Sequence, residues 1–199
     1  MKNTALILLV SLMFSHTNDS KSNLLIDNQL SQIMWKGEKS TGSYHTGLIN
    51  LSEGHITVHQ DSLISGLIII DMPSMTCNDI EEEGSNNALV NHLKGEDFFA
   101  VDNFPTATLK LLKAHKLNDT TMNNYSIIAD LTILGQTHPV EFLCSINLND
   151  SGAKADGTIA VDRAMYGIKY KSKTWYSDLG DRFINDIFYI YFSLIAFSN

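Results

Sequence analysis

The sequence predicts an all-β domain with one short helix, an antiparallel barrel or sandwich of about eight strands. Apolar residues recur with period two along most of the chain. The clearest run sets Val140, Phe142, Cys144, Ile146 and Leu148 against Glu141, Leu143, Ser145 and Asn147. One segment, near residue 90, has helical spacing instead. An antiparallel sheet of that many strands tends to curl, and closure removes its exposed edges. A closed set of eight leaves an interior that can hold one small ligand.

The elements follow in chain order. Lys2 and Asn3 precede the apolar run 5–14, and Ser15 to Ser20 are mostly polar, which is the layout of a secretory signal peptide. Ten residues rise about 15 Å as a helix, too little to span a bilayer. Residues 1–20 are therefore expected to be a signal peptide and leader, 27–199 the folded domain, and the protein exported to the periplasm or beyond. No Cys follows the run to carry a lipid anchor. Leu48, Leu51 and Ile56 punctuate 42–58, read as two strands with Gly54 at the turn between them. Gly66 to Asp71 is a compact β-branched strand.

Leu89, Val90 and Leu93 share one face of a short helix over 86–93. Ser85 or Asn86 is expected to cap it and Gly95 to end it. Glu81 to Glu83 form a solvated charge run at its N-terminal side, where the helix dipole favours negative charge. They lack the alternating oxygen ligands of a calcium loop. Phe104-Pro105 should lead into the next strand, because proline has no N–H for a ladder. Tyr125, Ile127, Ala129, Leu131 and Ile133 mark one strand face, and Leu134-Gly135-Gln136 reads as a tight hairpin to the strand over 140–148. In the apolar tail, Phe188, Ile190, Phe192, Leu194 and Ala196 form one face and Tyr189, Tyr191 and Ile195 the other. This predicts a strand covered on both sides, one lining an interior and one under a helix or loop.

The totals exclude several function classes. In 199 residues, 14 Lys+Arg against 22 Asp+Glu leave a net charge of −8, a poor match to nucleic acid or an anionic membrane. A hydrophobic content of 44% excludes disorder over most of the length. Two cysteines are too few for a disulfide scaffold or a thiolate cluster. Whether Cys77 and Cys144 pair is left open. His45 and His55 lie within zinc reach of each other if a hairpin brings them face to face. Neither sits in an H-x-x-x-H or H-E-x-x-H unit, so no metal is assigned. There is no G-x-S-x-G elbow. His92 and Asp97 suit a base and its orienter; more plainly, Asp97 caps or pins the loop before Phe98-Phe99 while His92 bonds to backbone. A buried Arg163 needs a partner, for which Asp181 or Asp186 is better placed than its neighbour Asp162. Trp35, Phe98, Phe99, Tyr166 and Trp175 either rim a barrel mouth or plug it.

Several strings resemble the YceI-like family of secreted, lipocalin-like barrels. They are Trp35-Lys-Gly-Glu-Lys39, Gly42-Ser-Tyr-His45-Thr-Gly47, Gly66 to Met75 with Asn78-Asp79, His92 to Phe99 with Asn103-Phe-Pro-Thr-Ala107, Asp130 to His138, and Val161 to Ile168. Lys169-Tyr-Lys-Ser172 and Leu179-Gly-Asp-Arg182 are similar to a Bacteroidetes-type branch. The resemblance implies an extended eight-stranded antiparallel barrel with a helix near one end. It also implies a lumen for a long-chain amphiphile, polyisoprenoid-like or fatty-acyl, with no catalysis, cofactor or nucleic acid and with a homodimer left open. The alternative is a structural or stress-linked periplasmic domain whose core is filled by its own side chains. Strand parity and the resemblance give Trp35, Phe98, Phe99, Ile127, Phe142, Ile146, Phe188, Ile190 and Phe192 as candidate lining residues. His45, His92, Asp97 and Arg163 are the family-motif polar residues, read as structural. The chain departs from the family pattern at Leu109 (usually Phe), Leu134 (commonly Lys or Val) and Lys171 (commonly Gly). Cys77 and Cys144 are not family features.

Overall fold

The computed structural model describes residues 21–60, 62–117, 123–149 and 151–198. The expected signal peptide over 1–20 lies outside them. Among the described residues, nine strands and one α-helix follow in order: β1 (Ser22–Ile26), β2 (Gln32–Glu38), β3 (Tyr44–His59), β4 (Ser62–Asp71), α1 (Glu83–Lys94), β5 (Thr106–Lys116), β6 (Tyr125–Ile133), β7 (Gln136–Asn149), β8 (Gly152–Asp162) and β9 (Ile187–Ser198).

All strands belong to one antiparallel sheet that closes on itself. From β3 to β9 each strand pairs with the next in sequence, and β2 joins β9 back to β3. The nine strands make eight staves. β2 pairs with one half of β3, Ile33 opposite Ile49, while β1 pairs with the other half, Leu24 opposite Ile56. Both pair on their other side with β9, Trp35 opposite Ile190 and Leu25 opposite Phe197. β1 and β2 are thus one stave interrupted at 27–31, where Asp27 Oδ1 accepts from the N–H groups of Gln29 and Leu30. The barrel is the expected one, and the C-terminal strand closes it.

Local chemistry explains the well-read elements. In β6, Tyr125, Ile127 and Ala129 alternate as buried residues, with Leu131 partly buried and Ile133 buried on the same parity, and in β7 Leu143 points outward at 51% exposure. Leu134 and Gly135 both have positive φ, 51° and 70°, which makes a two-residue turn whose twist matches the strands it joins. Pro105 immediately precedes β5, with its carbonyl accepting from Met72 N–H.

Three expectations are corrected. Gly54 is not at a turn: β3 runs unbroken through it, with a register shift between Leu51 and Glu53. A Cβ on Gly54 would lie 2.8 Å from Ile26 Cδ1, so the glycine admits a neighbouring side chain rather than turning the chain. His45 and His55 therefore share one strand, roughly 33 Å apart at 3.3 Å per residue, and do not face each other. The helix begins earlier than its apolar face suggested. Its cap is Glu82, whose carboxylate accepts from Gly84 and Ser85 N–H, while Asn86 Nδ2 donates back to the carbonyls of Cys77 and Ile80. Gly95 ends it as expected. Finally, α1 does not cover the outer face of β9. Leu89 and Leu93 point into the barrel, and on that outer face Ile187 and Phe197 are exposed while Tyr189 and Tyr191 lean together, half-buried.

Candidate functional site

The inward residues of the staves do not fill the barrel. They enclose a cavity of about 430 Å³ whose wall is almost wholly aliphatic and aromatic. A volume in this range is typical of small-molecule sites. Ile127 from β6, Phe142 and Ile146 from β7, and Phe188, Ile190 and Phe192 from β9 face it, as do Trp35 from β2 and Phe98 and Phe99 after α1. Phe142 and Phe192 meet edge to face with centroids 5.8 Å apart, and Phe99 meets Phe188 at 6.2 Å. Trp35 packs inward with its indole N–H donating to Thr76 O at 2.9 Å. Tyr166 and Trp175 are elsewhere. Tyr166 is fully buried against the ring of His138, and Trp175 is 47% exposed under Lys169.

β4, β5 and α1 complete the wall with Ile68, Ile70, Leu109, Leu89 and Leu93. Sequence reasoning missed most of these, because a run such as Leu67-Ile-Ile-Ile70 has no alternation to show which residues point in. Leu109, noted as a departure, does face the cavity, where a smaller side chain than Phe leaves more room.

Polar wall residues gather at one end. Lys39, Ser43, His45, His92, Tyr170, Lys171 and Asn185 stand where β2 ends, β3 begins and β9 begins. The segments 72–105 and 163–186 both connect strands at this end. Lys171 has φ 48°, the left-handed conformation that glycine tolerates best.

The four motif residues hold these segments in place. Arg163 is 3% exposed. Its guanidinium donates to the carbonyls of Asn185, Ile168, Tyr170 and Ile184 and lies 3.2 Å from Asp186 Oδ1. Asp186, not Asp181, is the partner, and Asp162 instead caps the following turn by accepting from Ala164 N–H. Burial pushes the Asp186 carboxyl up, but the hydroxyls of Ser172 and Thr174 beside it and the charge of Arg163 outweigh this and hold it below its ordinary value. His92 pairs with Asp97 and not, as expected, with backbone: its Nε2 is 3.0 Å from Asp97 Oδ2, and the imidazole stands edge-on to Phe98 and Tyr170. This ties the end of α1 to both mouth segments. His45 Nδ1 is 2.8 Å from Asp79 Oδ2, a partner 34 residues away that the sequence pattern did not reveal. Both cysteines are free and buried. Cys144 faces the cavity, and burial pushes its thiol up to about 12.

A family model described as the YceI-like domain matches residues 25–196. The chain belongs to that family. Among solved structures it is similar to BcnA of Burkholderia cenocepacia, at 19% identity and a TM-score of 0.67, covering 85% of this chain and 98% of that one. It is also similar to a polyisoprenoid binding domain from Saccharophagus degradans implicated in plant cell wall breakdown, at 12% identity and a TM-score of 0.59, covering 90% of this chain and all of that one. These likenesses show the shared barrel fold. No curated protein matches the chain. Among the described residues, no helix is long and apolar enough to cross a membrane.

Proposed function

We propose that this YceI-like domain binds, sequesters or carries a long-chain amphiphilic lipid, polyisoprenoid-like or fatty-acyl, inside its barrel. The observation that carries the reading is an apolar cavity within a closed barrel whose polar groups gather at one end. A hydrocarbon tail entering it leaves water at about 0.8 kcal/mol per buried methylene, against the cost of ordering the chain. The polar head then lies beside Lys39 and Lys171. The cavity favours this over a structural domain with a self-filled core. The polyisoprenoid binding named for the Saccharophagus degradans domain points the same way.

The reading makes the protein a binder and not a catalyst. His92 and Asp97 serve each other and the fold at the end of α1. Export follows from the N-terminal pattern, and protein from the native cell should begin between residues 16 and 24. The deciding experiment is mass spectrometry of an organic extract of the purified protein. Stoichiometric recovery of one long-chain amphiphile supports the reading. Extracts without lipid, together with no uptake of a polyisoprenoid or fatty acid added to the protein, refute it.

A further inference from the structure

We propose that His45, Cys77 and Asp79 form a binding site for one zinc-type divalent cation, beside the mouth of the barrel. The site is built by backbone pairing. Thr76 N–H donates to Leu48 O and Asn78 N–H to Thr46 O, which lays the segment after β4 along the first half of β3. Gly47 permits the approach, since a Cβ there would fall 1.7 Å from Thr76 O. Side chains two apart on an extended segment share a face. Cys77 and Asp79 therefore both turn toward His45.

The donor atoms already stand close to metal-site geometry. His45 Nδ1 is 2.8 Å from Asp79 Oδ2, Cys77 Sγ is 3.3 Å from Asp79 Oδ1, and the three ligand atoms lie within 4.8 Å of one another. Tetrahedral zinc, with bonds of about 2.0 Å to nitrogen and oxygen and 2.3 Å to sulfur, spaces its ligands by about 3.3–3.6 Å. Adjustments of a few tenths of an ångström to about an ångström bring the three around one ion. Imidazole, thiolate and carboxylate together suit Zn²⁺ and not Ca²⁺ or Mg²⁺, which take oxygen ligands. One thiolate and one carboxylate balance the charge of a dication. Asp79 also has the outer partner that metal-binding carboxylates have, because Thr46 N–H donates to its Oδ1 at 2.7 Å. The side chains of His45 and Asp79 are 34% and 25% exposed, which gives an ion entry and leaves a fourth position for water.

Cys77 decides the chemistry. A His–Asp pair alone is a hydrogen bond, and the thiol turns it into a three-ligand set. The bound ion ties the segment leading into α1 to β3 across more than thirty residues and so steadies one side of the barrel mouth.

The test titrates Zn²⁺ into the reduced, purified protein against a chromophoric chelator and repeats the titration with Co²⁺. One equivalent of metal should bind. The Co²⁺ protein should show near-ultraviolet thiolate-to-cobalt charge-transfer absorption, lost in Cys77→Ser and kept in Cys144→Ser. Zinc affinity should fall by more than about 100-fold in Cys77→Ser, beyond the 10–100-fold that loss of a mere outer partner costs. Absence of the cobalt band from the wild type, or unchanged zinc affinity in a Cys77→Ser protein with wild-type circular dichroism, overturns the proposal. If Cys77→Ser does not fold, the wild-type cobalt spectrum and zinc binding by His45→Gln decide it by the same criteria.

Discussion

Replacing Phe142 with Asp tests the lumen directly. Phe142 lies on the inward parity of β7, its ring edge-on to Phe192, and both line the cavity. An aromatic side chain carries about 150–250 Å² of surface. If half of this faces the bound tail, roughly 100 Å² of contact disappears, about 2.5 kcal/mol at 25 cal/mol per Å². That lowers affinity roughly 60-fold. A carboxylate in a dry wall adds a further penalty or takes up a proton to avoid it. The control is one residue away, because Leu143 points to solvent and Leu143→Asp should leave binding and fold intact. Lipid retention is read by mass spectrometry of extracts, with circular dichroism alongside. A folded Phe142→Asp protein that retains lipid as well as the wild type refutes the reasoning.

Other outcomes follow from the buried polar cluster. Arg163→Ala strands four carbonyl partners and the Asp186 carboxylate, and should cost about 3–5 kcal/mol in urea denaturation. Arg163→Lys should recover little, since one ammonium cannot span that fork of acceptors. The Asp186 carboxyl is held below its ordinary value, so its stabilisation is complete above the unfolded-state pKa of about 3.9 and is lost as pH falls through the lower folded value. The stability gap between wild type and Asp186→Asn should therefore narrow below about pH 4 and stay constant from pH 5 to 7. A constant gap down to pH 2 would show that the charge on Asp186 is not what stabilises the fold.

The sequence disclosed those parts of the fold where one residue type answers one geometric need. β6, its hairpin and β7 were readable because alternation was clean and Leu134-Gly135 supplied the turn. Gly54 misled because glycine marks both turns and close approaches, and only the position of Ile26 tells which. The cap of α1 was missed because Glu82 lies outside the helical period. In the lumen, inward residues could be named on β6, β7 and β9 but not on β4, where Leu67 to Ile70 are all apolar. The polar mouth was the least legible region. The need of a buried Arg163 for a carboxylate narrowed its partner to Asp181 or Asp186, but Asp79, 34 residues from His45, left no mark in the local pattern.

The interrupted stave sets the order in which this barrel can be completed. Leu24 pairs with Ser198, so the first strand meets the last across nearly the whole polypeptide. Contacts of such high sequence separation form slowly, because loop closure is entropically costly before any contact compensates it. The hairpins from β3 to β8 can assemble as the chain emerges, but the seam between β9 and the β1–β2 stave stays unsealed until β9 is free. A chain stalled or truncated short of β9 would present β8 and the β1–β2 stave as two open edges flanking an uncovered apolar trough, a template for aggregation that the finished barrel hides.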